Sequence, residues 1–144
     1  MVIDTSVLVA IVLDEPSRDS LLDAIEAAAT RTISSVSMLE AGIVLRSRVG
    51  QPAVAELYGT IEDLGIETAV FDGAQARAAV RAFERFGKGM GHRAQLNFGD
   101  CAVYALAAMR GEPLLATGND FAATDLTVIG PTSGSCGGTG ADGV

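Results

Sequence analysis

Short strand-like runs alternate with longer helix-like patterns along this sequence, and that alternation limits what it can fold into. Residues 1–4, 32–34, 66–71, 114–117 and 126–129 read as strands. Helical patterns fill the intervals: an apolar turn or helix over 6–13, a second helix opened by Asp14-Glu15-Pro16-Ser17 and running to about residue 29, and a third to about Arg48 with Ser35 or Ser37 as its cap. Further helices cover 53–64, 73–86 and 98–110, the last capped by Asn97. Proline and acids at helix starts and glycine at helix ends support these boundaries. Strands alternating with helices imply an α/β fold, with a central, mostly parallel five-stranded sheet and helices on both faces.

Within that pattern, four carboxylates stand in apolar surroundings at strand ends or helix starts: Asp4, Glu40, Asp100 and Asp120. Each has an ordinary explanation as a cap. Asp4 can cap the turn after it, Ser37 and Glu40 match a capping box, Asp100 lies three residues beyond Asn97, and Asp120 can cap a short helix. Their joint placement argues for more. In an open parallel sheet, ligands bind outside the carboxyl ends of the strands, where the following helices begin; Asp4 and Asp120 follow strands directly and Glu40 and Asp100 lie in first turns of helices, so all four can meet at one edge. Carboxylates gathered in one place repel each other, and a hard cation such as Mg²⁺ or Mn²⁺ makes their shared ionisation favourable. Oxygen-only ligation points away from zinc and toward metal-assisted phosphodiester hydrolysis.

Other chemistries find less support. His92 is the only histidine and sits beside the Gly87-Lys88-Gly89-Met90-Gly91 loop, where it reads as a solvent-exposed loop residue. Neither a phosphate-cradling P-loop nor a dinucleotide glycine motif follows a strand. The two cysteines, Cys101 in a helix and Cys136 in the tail, have no spacing suited to a disulfide framework or structural zinc. Cys101 reads as a small core residue.

At 144 residues the chain is one domain by length. The domain is expected over 1–130, followed by a disordered Gly/Ser-rich tail over 131–144 with little to bury. The longest apolar run, 7–13, falls well short of the roughly 20 residues that cross a bilayer, so a soluble, cytoplasmic protein without membrane attachment is expected. A net charge of −8 by itself opposes binding of a nucleic acid. Its distribution is uneven, however. Five of the ten basic residues, Arg77, Arg81, Arg85, Lys88 and Arg93, fall between Gly73 and Gly99 against a single acid, Glu84. The three arginines recur every four residues on one helix face, either as a solvated face or as a grip on a phosphate backbone.

The opening Met1-Val2-Ile3-Asp4-Thr5-Ser6, the helix carrying Glu40, the stretch Leu96-Asn97-Phe98-Gly99-Asp100-Cys101 with Tyr104-Ala105-Leu106-Ala107, and Leu114 to Phe121 with Thr124-Asp125-Leu126 together resemble the PIN-domain ribonucleases, and within them the VapC toxins of type II toxin-antitoxin pairs. The resemblance covers residues 1–130 and keeps the family's order and spacing. It implies a Mg²⁺-dependent endoribonuclease using an acidic quartet on RNA, held inactive by a small antitoxin and typically dimeric. Asp4, Glu40 and Asp100 match family positions. The fourth departs: many relatives carry an acid two residues after the position of Thr117, where this chain has Asn119, with Asp120 next to it. Thr5, Ser6 and Thr117 are implied as supporting residues, and helices 17–29 and 53–64 as candidate partner surfaces. A haloacid-dehalogenase-like phosphatase would want a second aspartate where Ser6 stands. A non-catalytic Mg²⁺-binding regulatory domain would want a lysine near Asp72, in a chain almost without lysine.

Overall fold

The computed structural model of the protein describes residues 1–131, so the expectation for the tail falls almost wholly outside the described residues. The chain order is β1 (Val2–Ile3), α1 (Thr5–Val12), α2 (Arg18–Ala27), β2 (Thr32–Ser34), α3 (Ser35–Arg48), α4 (Gln51–Asp63), β3 (Glu67–Ala69), α5 (Gly73–Phe86), α6 (Phe98–Arg110), β4 (Leu114–Leu115) and β5 (Val128–Ile129). The five strands form one sheet in the order β3-β2-β1-β4-β5, and every pairing is parallel. Four strands are shorter than the sequence suggests: β1 covers only Val2–Ile3, β3 stops at Ala69, β4 at Leu115, and β5 begins only at Val128.

The central strands β2, β1 and β4 are buried on both faces because their side chains alternate between two cores, whereas the edge strands β3 and β5 are partly exposed. Ile3 and Leu115 point into one core with Val7, Leu8, Leu21, Ile25, Leu45 and Leu57. Val2 and Leu114, their immediate neighbours, point into the other with Phe86, Leu96, Val103, Tyr104 and Phe121. Helices α1 to α4 therefore cover one face and α5 and α6 the other. Truncating fully buried Ile3 to Ala would cost about 2–5 kcal/mol, the usual range for such core deletions.

Helix composition follows from these positions. In α1, residues Val7 to Val12 are buried on every side, as suits a helix apolar all round. In α2 and α4 the apolar spacing of four directs Leu21, Ile25, Leu57 and Ile61 inward, so the helices expected to offer partner surfaces spend these residues on the core. The cap of α3 differs from expectation. Ser34, the last residue of β2, is the cap, and its side chain accepts from Val36 N at 3.2 Å. Ser37 instead lies inside the helix with its hydroxyl buried and unpaired, so no capping box joins it to Glu40.

Candidate active site

The sheet changes direction at β1: β2 and β3 extend it one way, β4 and β5 the other. The crevice outside the carboxyl ends at such a switch is where open α/β sheets take ligands. Asp4 leaves β1 at this edge, and the segment from Thr117 to Asp120 leaves β4 beside it.

Asp4 is only 8% exposed. It caps α1, and one carboxylate oxygen, Oδ2, accepts from the Ser6 amide at 3.0 Å and the Ser6 hydroxyl at 2.5 Å. The same hydroxyl accepts from the Thr117 amide at 3.1 Å, which ties the end of β4 to the first aspartate. Burial pushes the Asp4 carboxyl above its ordinary range, the Ser6 bonds pull it back, and the negative charge of Glu40 pushes it up again.

Glu40 is half-buried in the second turn of α3. The Thr5 hydroxyl donates to its Oε2 at 2.8 Å. The two hydroxyls thus divide their work: Ser6 holds Asp4, and Thr5 holds Glu40. Asp100 forms a capping box with Asn97, each side chain accepting from the other's amide at 2.9 Å. Its carboxyl is pushed up to about 6, first by burial and then by the charges of Asp4, Asp120 and Glu40, against the opposing Asn97 bond. Three other carboxylates are therefore felt at Asp100. Capping leaves both acids among other carboxylates: Asp4 caps α1 and Asp100 belongs to the capping box of α6 while each feels a neighbouring negative charge.

Asp120 and Asn119 lie on an exposed turn that follows Gly118, whose φ of +79° is natural only for glycine. Of this pair, Asp120 is the one whose charge reaches Asp100. Among the described residues, no Lys, Arg or His pairs with Asp4, Glu40, Asp100 or Asp120.

The basic stripe is uneven. Arg77, Arg81 and Arg85 are all exposed on α5, and Lys88 and Arg93 are exposed in the loop beyond. Arg85 is already engaged: it donates to Asp125 Oδ2 at 2.9 Å and to the Tyr104 hydroxyl at 3.4 Å, and lies 4.5 Å from the centre of the Phe86 ring. Tyr104 in turn donates to Asp125 Oδ1 at 2.5 Å. His92 also departs from expectation. It is half-buried, its ring lies edge-on to Phe86 at 4.9 Å, and its Nδ1 accepts from the Ala94 amide at 3.1 Å. Cys101 is buried, as expected of a core residue.

Residues that the sequence left without a role matter to this edge. Gly99 lies directly against the Glu40 carboxylate, and Asp125 closes a cluster with Arg85 and Tyr104. Both signals are contacts between distant elements, so no local pattern reveals them.

Among the described residues, no group of three His, Cys, Asp or Glu side chains stands close enough to hold one metal ion. The donor chemistry still fits a hard divalent cation. The edge offers oxygen donors, chiefly carboxylates, and burial together with neighbouring negative charge raises Asp4 and Asp100 above the ordinary carboxylate range, a cost that a cation would relieve.

The PIN domain family model matches residues 1–126. Ribonuclease VapC of Mycolicibacterium smegmatis is 46% identical over 129 residues, spanning 90% of this chain and 99% of that protein. Ribonuclease VapC30 of Mycobacterium tuberculosis is 42% identical over 129 residues, spanning 90% and 98%. Among solved structures, VapC20 of Mycobacterium tuberculosis, described as a sarcin-ricin loop cleaving toxin, superposes with a TM-score of 0.73 at 16% identity, covering 88% of this chain and 95% of that one. A toxin-antitoxin complex from Klebsiella pneumoniae gives 0.67 at 18%, covering 92% and 98%. At such identities these two likenesses speak for the fold.

Proposed function

The chain belongs to the PIN-domain family and, within it, to the VapC ribonucleases, and from that premise we propose that it is a Mg²⁺-dependent endoribonuclease acting as the toxin of a toxin-antitoxin pair. Its domain spans 1–130, and the acid edge hydrolyses RNA phosphodiester bonds. The observation that carries this reading is the set of carboxylate charges converging on Asp100 with no cationic side chain of the described residues to balance them.

Asp4, Asp100 and Glu40 would hold the ion, with Asp120 as the fourth member and Asn119, beside it, able to contribute an amide oxygen. Mn²⁺ would serve in place of Mg²⁺. A bound ion would supply a water acidic enough to give hydroxide near neutral pH and would stabilise charge on the scissile phosphate. The carboxylates must draw closer than they stand here, and Asp120, on its exposed turn, has the most room to move. Ser6 keeps Asp4 aimed at the edge while Thr117 fixes the start of that turn. Thr5 engages only one oxygen of Glu40, which leaves the other able to take a proton from the attacking water. Arg77, Arg81, Lys88 and Arg93 are exposed cations suited to a phosphate backbone, whereas Arg85 would have to leave Asp125 to join them.

A small antitoxin and a second copy of the chain are the proposed protein partners. Support comes from exposed apolar side chains along two helix pairs, Leu39, Ile43 and Tyr58 on α3 and α4, and Val80, Phe83 and Phe98 on α5 and α6.

Purified protein should cleave RNA with Mg²⁺ or Mn²⁺, and either EDTA or Asp4→Asn should abolish cleavage. Cleavage that survives both would overturn the proposed site.

A further inference from the structure

Gly99 occupies the second position of α6, between the capping residue Asn97 and Asp100. Nothing in its local backbone requires glycine, since it sits in a helix and glycine there is disfavoured by about 1 kcal/mol relative to alanine. The reason lies across the site. A methyl group on Gly99 would come within 2.7 Å of Glu40 Oε2 and 3.1 Å of both Oε1 and the carboxyl carbon. The first contact is closer than a methyl carbon tolerates and the other two are tight, so the Glu40 carboxylate, the far end of a flexible side chain, would have to shift.

We infer that Gly99 is a positioning residue: its bare α-carbon forms the seat that lets the Glu40 carboxylate lie against the first turn of α6, next to Asp100. This deepens the metal-site reading above, on which its functional consequence rests. Thr5 holds the carboxylate from the side of α1, through Oε2, while Gly99 opens the space on the side of α6. The carboxylate is thereby fixed between two elements that neither carry it nor adjoin it in sequence. The first turn of α6 also favours a negative charge, because the unpaired amides of a helix N-terminus face it. Any side chain at position 99 would push Glu40 away from Asp100 and break the Thr5 bond, or push α6 away from α3.

Three variants separate the seat from an ordinary packing effect: Gly99→Ala, Glu40→Ala and the double variant, each measured for thermal unfolding without metal and for Mn²⁺ binding by calorimetry. Gly99→Ala should lower Tm in the parent protein. In the Glu40→Ala background the obstructing carboxylate is gone, and the same substitution should raise Tm by about 3 °C, as expected of alanine replacing glycine in a helix. Mn²⁺ affinity should fall at least about 10-fold in Gly99→Ala, as it does when groups supporting a metal ligand are removed. The double variant should bind no worse than Glu40→Ala alone, since residues acting through one another are not additive.

A Tm shift of the same sign in both backgrounds would overturn the seat, as would Mn²⁺ binding by Gly99→Ala within about twofold of the parent while Glu40→Ala binds weakly. If Gly99→Ala fails to fold, a folded double variant supports the seat and an unfolded one overturns it. Should Glu40→Ala bind Mn²⁺ as the parent does, the metal reading of Glu40 fails, and the sign of the Tm shift alone decides the seat.

Discussion

Two groups of acids and hydroxyls flank α6, and they are built on opposite principles. One turn along α6 from Asp100, Asp125 receives the Tyr104 hydroxyl and the Arg85 guanidinium, and these bonds hold its carboxyl below the ordinary range. The Tyr104 hydroxyl is pushed up to about 12, first by burial and then by its bond to Asp125. Charge there is balanced within the protein. At the N-terminus of α6, Asp100 and Asp4 are driven the other way, with burial as the leading cause and neighbouring carboxylates adding to it. Buried charge left unbalanced is costly, so the first cluster reads as a brace and the second is the one to which the proposed function assigns the metal. The contrast also sorts the arginine stripe, since Arg85 belongs to the brace and Arg81 does not.

The largest expected effect that sharpens this contrast comes from Ser6→Ala. It removes the hydroxyl shared by Asp4 and the Thr117 amide, and should lower RNA cleavage about 10–100-fold, the usual cost of losing a supporting group at a metal site. Activity within about twofold of the parent would make Ser6 a cap and nothing more.

Lowering the pH comes next. The folded Asp100 carboxyl holds its proton up to about pH 6, against an ordinary value of 3.8. Because the folded value is the raised one, this group's contribution to metal-free stability is fully present below 3.8 and is lost as pH rises through about 6. Metal binding runs the opposite way, since the ion must displace the proton. Mn²⁺ affinity should fall by about tenfold per pH unit below 6, and Asp100→Asn should flatten that dependence. A flat profile in the parent protein would contradict the shift.

Charge reversal at Arg81 should weaken RNA binding several-fold at low salt and much less at high salt, as screening shortens its reach. The same measurement on Arg85→Gln should show a smaller loss of binding, because that side chain is held by Asp125. Equal losses would dissolve the distinction between the two arginines. The smallest effect is expected from Tyr104→Phe, which deletes the bond to Asp125 and should cost about 1 kcal/mol of stability in denaturant melts while leaving cleavage nearly unchanged.

Much of this was legible in the sequence, and the exceptions have a common cause. The fold class followed from alternating patterns, and the bounds of α5 and α6 followed from Gly73, Asn97 and Gly111, which carry local punctuation. The strand ends did not, because Phe71 and Thr117 continue an apolar or β-branched run past the last ladder bond. Strand direction alone puts Asp4 and the turn carrying Asp120 at the carboxyl edge, whereas Glu40 and Asp100 ride on α3 and α6 and depend on helix packing for their approach. What remained hidden depends on contacts across the fold: Thr5 reaching Glu40 rather than Asp4, Gly99 clearing space for Glu40, His92 packing on Phe86, and Asp125 neutralising Arg85. Ser37 misled for the opposite reason. It satisfies a capping-box spacing, yet the chain enters α3 three residues earlier, at Ser34.

The contrast between the two clusters is tested most directly by Mn²⁺ titration calorimetry at pH 7 on the parent protein, Asp100→Asn and Asp125→Asn. The parent and Asp125→Asn should bind with affinities within about threefold of each other, and Asp100→Asn should lose at least about tenfold. Equal binding by all three, or a loss confined to Asp125→Asn, would contradict the assignment of the unbalanced acids as the metal site.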